Sequence, residues 1–142
     1  MKTKRCLSLE DVKKIASGCE KEALAKGWAV TIAIVDDGGH LLWLQRLDGA
    51  PPISPEIASG KARTAALLRK PTKVYEDMIN NGRYAALTMP GELIRMEGGE
   101  LVISDGEIVG AVGVSGVKSS EDAEVARAGI DFFLNGLAAD GK

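Results

Sequence analysis

Histidine and cysteine are scarce in this chain of 142 residues, which has one histidine, His40, and two cysteines, Cys6 and Cys19. No second histidine or cysteine stands at ligand spacing from His40, and the cysteines lack the spacing of a zinc knuckle or a redox pair. Both cysteines therefore read as thiols, small apolar groups in a reducing compartment. Long hydrophobic runs are also missing. The longest, around Ala29 to Val35, is far too short to cross a bilayer as a helix and is interrupted by Thr31. Lys2, Lys4 and Arg5 begin like a secretory leader, but Ser8, Glu10, Asp11, Lys13 and Lys14 stand where its apolar core belongs, so a cytoplasmic protein with no membrane partner is expected. Charge of one sign is not in excess either: 18 Lys+Arg against 20 Asp+Glu leave −2, with the basic residues scattered. Nothing supplies the electropositive face that nucleic acid requires.

What is present suffices for one domain spanning 1–142, with 1–7 as an N-terminal tail, long enough to bury roughly two-thirds of the surface of the unfolded chain. No repeat, low-complexity stretch or long linker divides it. Ser8 and Asp11 form a capping arrangement ahead of Leu9, Val12, Ile15, Ala16, Cys19, Ala23 and Leu24, which recur at helical spacing until Gly27. Trp28 to Asp36 reads as a strand covered on both faces, and Asp36-Asp37-Gly38-Gly39 turns it into a second strand over Leu41 to Arg46. Ser54-Pro55-Glu56 opens a helix, with Ser54 as hydroxyl cap, whose alanines and Gly60 make one side slim enough to lie close to a sheet. A short helix over 72–80, a loop over 82–91, strands over 92–96, 101–104 and 108–115, and a last helix from Ser119 complete the order. Gly98-Gly99 reads as a bend or bulge, and Asp105-Gly106 is the strongest hairpin signal. The order α-β-β-α-α-β-β-β-α predicts an α/β (α+β) protein with a five-stranded, mainly antiparallel sheet flanked by helices.

Several residues could carry chemistry. His40 could bind a metal or haem iron, or sit as a solvent-facing hairpin residue. Asp36 and Asp37 lack the acidic alternation of an EF-hand loop and suit a turn. Ser115, in Gly113-Val114-Ser115-Gly116-Val117, is one glycine short of a nucleophile elbow, and no histidine follows it. The glycines at 110, 113 and 116 lack dinucleotide-binding spacing. The turn ahead of Ser119 and Ser120 could present free N–H groups to an anion, or be capped by those serines. Asp48, Lys61, Arg63 and Thr64 remain. A charged Lys61 on a helix of small residues suggests a pocket wall, or a lysine snorkelling beside the sheet or pairing with Asp48.

Three segments in order, "VDDGGHLLWLQRLDGA" (35–50), "SPEIASGKARTAA" (54–66) and "GGELVISDGEIVGAVGVSG" (98–116), with acidic "SSEDAEVA" (119–126) beyond, resemble the GlcG/HbpS-like family of haem-degrading domains, also found at the C-terminus of PduO-type proteins. The resemblance covers residues 8–137 and departs from the pattern at Glu100 and Val117, near the expected pocket. It implies a profilin-like three-layer α/β/α domain with a five-stranded antiparallel sheet, homo-oligomers and, in some members, haem binding with slow degradation or redox sensing. Other members occur beside genes for glycolate or diol catabolism. The expected ligand site lies between the Lys61 helix, the Asp36 hairpin and the Gly98-Gly99 bend, drawing on Asp36, Arg46, Asp48, Lys61, Thr64, Gly98, Gly99, Ser115 and Gly116. No metal site beyond haem iron is expected, and His40 and Met96 lead Met89, Tyr75 and Tyr84 as its ligand candidates. Three readings follow: an oligomeric small-ligand binder for haem or a related tetrapyrrole; an enzyme or accessory factor acting on a small carboxylate or hydroxy acid through Lys61, Arg46 and the 115–119 loop; or a ligand-free assembly subunit whose "LLWL" run is covered by a partner copy.

Overall fold

A computed structural model describes residues 1–141. The elements are α1 (Leu9–Lys26), β1 (Thr31–Asp36), β2 (Leu41–Arg46), α2 (Ser54–Leu68), α3 (Thr72–Asn80), a 3₁₀ turn (Tyr84–Thr88), β3 (Gly99–Ser104), β4 (Glu107–Ser115) and α4 (Ser119–Ala139). The strands form one antiparallel sheet in the order β2-β1-β4-β3. It has four strands, not the expected five, because residues 92–96 form no strand. The Ile94 N–H is satisfied by the Thr64 hydroxyl at 2.8 Å, so this segment is tied to a helix instead of a ladder.

Local chemistry accounts for the borders. Ser8 and Asp11 form the capping box of α1, and Gly27 closes that helix in the left-handed region at φ 71°. Asp105 and Gly106, at φ 49° and 78°, supply the two left-handed residues that a tight hairpin between β3 and β4 demands. Ser54 is not the N-cap of α2; it lies inside the helix, where its hydroxyl meets Thr31 Oγ1 at 2.7 Å and donates to the Pro51 carbonyl at 2.6 Å. The N-terminal tail crosses both hairpin tips, Lys4 pairing with Asp37 at 3.1 Å and Arg5 with Glu107 at 3.3 Å.

Strand alternation divides the interior into two layers. Ile32, Ile34, Val112 and Val114 point toward α1 and α4 and join Val12, Ile15, Cys19, Ala126, Ile130 and Phe133 in the larger cluster. Ala33, Val35 and Ala111 face the other way, against Ala58, Ala62, Ala65 and Ala66 of α2. The slim helix face thus lies flat on small strand residues. At Gly113 a Cβ would collide with the Ala58 carbonyl and come within 2.5 Å of the Ala62 nitrogen. Among the described residues, no helix is long and apolar enough to cross a membrane.

Candidate functional site

Because α2 sets its alanines on the sheet, its polar residues emerge at the borders of that contact. Lys61 is one of them and is completely buried. Its ammonium donates to the Val114 carbonyl at 3.0 Å and to Asp122 Oδ2 at 3.0 Å, joining α2 to the end of β4 and the first turn of α4. Burial pushes the Asp122 carboxyl up, against the pull of Lys61 and of the Val117 N–H that donates to Oδ1 at 3.1 Å. Lys61 therefore neither snorkels nor pairs with Asp48, and it does not line the open cleft beside α2.

The same helix fixes the segment before β3. The Thr64 hydroxyl donates to the Gly60 carbonyl at 2.7 Å while accepting from Ile94 N–H, and the Ile94 side chain occupies the space a Cβ on Gly60 would need. Gly98, at φ 129°, passes so close that a Cβ would lie 2.7 Å from Lys61 Nζ and 2.8 Å from the Val114 oxygen. Gly99 donates its N–H to Thr72 Oγ1 at 2.9 Å and runs against the Lys61 carbonyl. Lys61, Thr64, Gly98 and Gly99 thus form one framework holding residues 91–98 beside α2.

Between that segment, α2 and the first hairpin lies an open cleft of about 560 Å³. Leu41, 52% exposed, gives it an apolar side above the buried Val35, Gly39 and Gly60 leave it room, and Ser59, Arg63, Glu56 and Glu92 surround it. The Arg63 stem packs on the turn, where a Cβ on Gly39 would lie 3.2 Å from its Cγ; the guanidinium Nη1 lies 3.9 Å from the Cβ position of Gly91. Among the described residues, Arg63 makes no ion pair and no side-chain hydrogen bond. Asp36 shapes the turn. It accepts the N–H groups of Gly38 and His40 at 2.9 Å each and meets the His40 ring at 3.2 Å. Partial burial pushes its carboxyl up, but those donors outweigh burial and hold it below the ordinary carboxylate range.

The remaining expected site residues lie elsewhere. Arg46 donates twice to the Ala50 carbonyl, at 3.1 and 2.7 Å, and with Asp48 borders a separate cleft of about 460 Å³ beside Trp28 and the end of α1. That cleft is at the far end of β2 from Asp36, since Arg46 is in register with Thr31 at the start of β1. Ser115 is buried in the sheet, and Gly116 presses on Ala29 and Val30. In the 115–119 loop Asp122 takes Val117 N–H at 3.1 Å and Glu121 takes Lys118 N–H at 3.2 Å, so carboxylates and not the serines accept these two donors. Glu100 pairs with Arg127 at 2.8 Å, and Val117 packs on the α1–α4 core; neither lines the 560 Å³ cleft. None of His40, Met89, Met96, Tyr75 and Tyr84 lines it, and the His40 side chain, 83% exposed, faces Asp36. Among the described residues, no three His, Cys, Asp or Glu side chains are grouped to hold a metal ion. Arg63 lies outside the expected ligand site yet lines this cleft; its position two residues after Lys61, toward the opposite side of α2, is the signal the sequence carries for it.

The family model described as haem degrading protein HbpS-like matches residues 7–131. The chain belongs to this family. Protein GlcG of Escherichia coli K12 is 52% identical to this HbpS-like chain over 115 residues, covering 81% of the chain and 85% of GlcG. The crystal structure of the Klebsiella pneumoniae protein ORFY superposes on it with a TM-score of 0.86 at 31% identity, over 94% of both chains. A crystal structure of a PduOC–haem complex superposes with a TM-score of 0.81 at 26% identity, over 90% of this chain and 95% of that one.

Proposed function

We propose that this HbpS-like chain is a homo-oligomeric binder of haem or a related tetrapyrrole, and that the 560 Å³ cleft between α2, the first hairpin and residues 91–98 receives it. The observation that carries the reading is the cleft itself, apolar along Leu41, left open by Gly39 and Gly60, and walled by a segment pinned to α2 through Thr64. The haem complex of PduOC and the family's description support the ligand class. Exposed Leu41, Leu42 and Leu44 on edge strand β2 suit coverage by a second copy of the chain.

The lining residues include none of the ordinary axial ligands of haem iron, so the fit concerns the macrocycle, and no step of haem degradation is assigned to these side chains. Titration with haemin, followed at the Soret band, is the test. Binding at micromolar haemin that is lost in Ser59→Trp, which fills the cleft, is the expected result. An unshifted band, or equal binding by the variant, would overturn the proposal.

A further inference from the structure

We infer that the cleft recognises its ligand through a carboxylate held by Arg63, and that the metal at the centre of a tetrapyrrole contributes little to affinity. This rests on the reading of the cleft as the ligand site and names the chemistry of recognition within it. Among the described residues lining the cleft, Arg63 is the one cation. Its stem is seated on the left-handed Gly39, and its guanidinium lies beside Gly91, also left-handed at φ 93°. The head group is thus placed between the hairpin turn and the 91–98 segment without being consumed by either. A planar guanidinium with unengaged donors suits a carboxylate, which it can take with two parallel hydrogen bonds.

Glu56 and Glu92 border the same cleft without pairing to Arg63. They disfavour a compact polyanion and leave room for a ligand that presents one carboxylate to Arg63 while its apolar body lies along the exposed Leu41. A porphyrin propionate and the carboxylate of a small organic acid share this chemistry. Among the described lining residues none offers the iron an imidazole, thiolate, thioether or phenol, and His40, between the lining Gly39 and Leu41, turns its Nδ1 to Asp36 at 3.2 Å.

The experiment compares haemin, metal-free protoporphyrin IX and protoporphyrin IX dimethyl ester on the wild-type chain, Arg63→Gln and Arg63→Lys. Protoporphyrin IX should bind within about three-fold of haemin, and esterification or Arg63→Gln should each weaken it about ten-fold, as loss of one charge-assisted contact implies. Their effects should not add, because both remove the same contact; Arg63→Lys should fall between. An unchanged unfolding midpoint in Arg63→Gln verifies that the fold is intact. If haemin binds but the ester and Arg63→Gln lose nothing, or if removing the iron abolishes binding, the inference fails while the ligand-site reading stands. If no porphyrin binds but glycolate raises the melting temperature in an Arg63-dependent manner, the carboxylate assignment holds for a small acid and the tetrapyrrole reading fails. No response to any of these probes would overturn both.

Discussion

Lys61 and Arg63 sit two positions apart on α2 and have opposite fates. The ammonium of Lys61 is 1% exposed and spends its donors on Val114 and Asp122. Arg63 is exposed, and among the described residues its guanidinium has no protein partner. The helical repeat accounts for the divergence, since residues two apart differ by roughly 200° in direction. The comparison teaches that a charged residue within a family motif can be the girder while its neighbour faces the ligand. Deep burial and internal pairing mark the first, and an unengaged head group beside an open cleft marks the second.

Removing the girder is the most direct way to break that contrast, and it carries the largest expected effect. Lys61→Met leaves Asp122 buried without its counter-charge and the Val114 carbonyl without its donor; such losses cost about 3–5 kcal/mol. Arg63→Gln should change stability by less than about 0.5 kcal/mol, as for most surface substitutions. Adding Asp122→Asn to Lys61→Met removes the stranded charge and keeps an oxygen for Val117 N–H, so it should recover a substantial part of the loss. Urea unfolding of the four chains measures all of this. A Lys61→Met chain as stable as wild type would show that the ion pair is not structural.

How much of this was legible in the sequence follows from the range over which each signal acts. Capping at Ser8 and Asp11, the left-handed residues at Asp105-Gly106 and the alanine stripe of α2 are local, and each element they announce is present. Lys61 was conspicuous by its position among small residues, but its partner Asp122 is 61 residues away and carries no spacing signal. The segment Glu92 to Met96, with apolar Leu93, Ile94 and Met96, reads as a short strand, yet the acceptor for Ile94 N–H is a side chain on α2, which the local sequence does not reveal. Arg46 and Asp48 belong to the same motif as Asp36, but an extended strand carries them to the far end of the sheet.

Thr64 sharpens the contrast at intermediate strength, because it links the buried framework to the cleft wall. Thr64→Val keeps the shape and deletes the oxygen that accepts Ile94 N–H, leaving a part-buried donor unpaired. About 1–2 kcal/mol should be lost. The Ile94 amide should exchange faster with solvent, and porphyrin affinity should fall as residues 91–98 loosen. Hydrogen exchange resolved at Ile94 is the decisive measurement. An unchanged rate there would mean that packing of Ile94 on Gly60 alone holds the wall.

The smallest effect belongs to the hairpin end of the cleft, where Asp36 organises the turn that seats Arg63. Burial raises its carboxyl and the N–H groups of Gly38 and His40, with the His40 ring, lower it by more. A carboxyl held below its unfolded value of roughly 3.9 contributes stability that is fully present above that pH and is lost as pH falls through the folded value. The window is therefore below about pH 4, and the partly exposed group should move the melting temperature only slightly. Asp36→Asn should be slightly less stable than wild type at neutral pH, and the difference should shrink as wild type is acidified through that window. If the gap between the two chains stayed constant from pH 7 to pH 3, the carboxylate charge would have no part in holding the turn, and Gly38 and Gly39 alone would set the seat of Arg63.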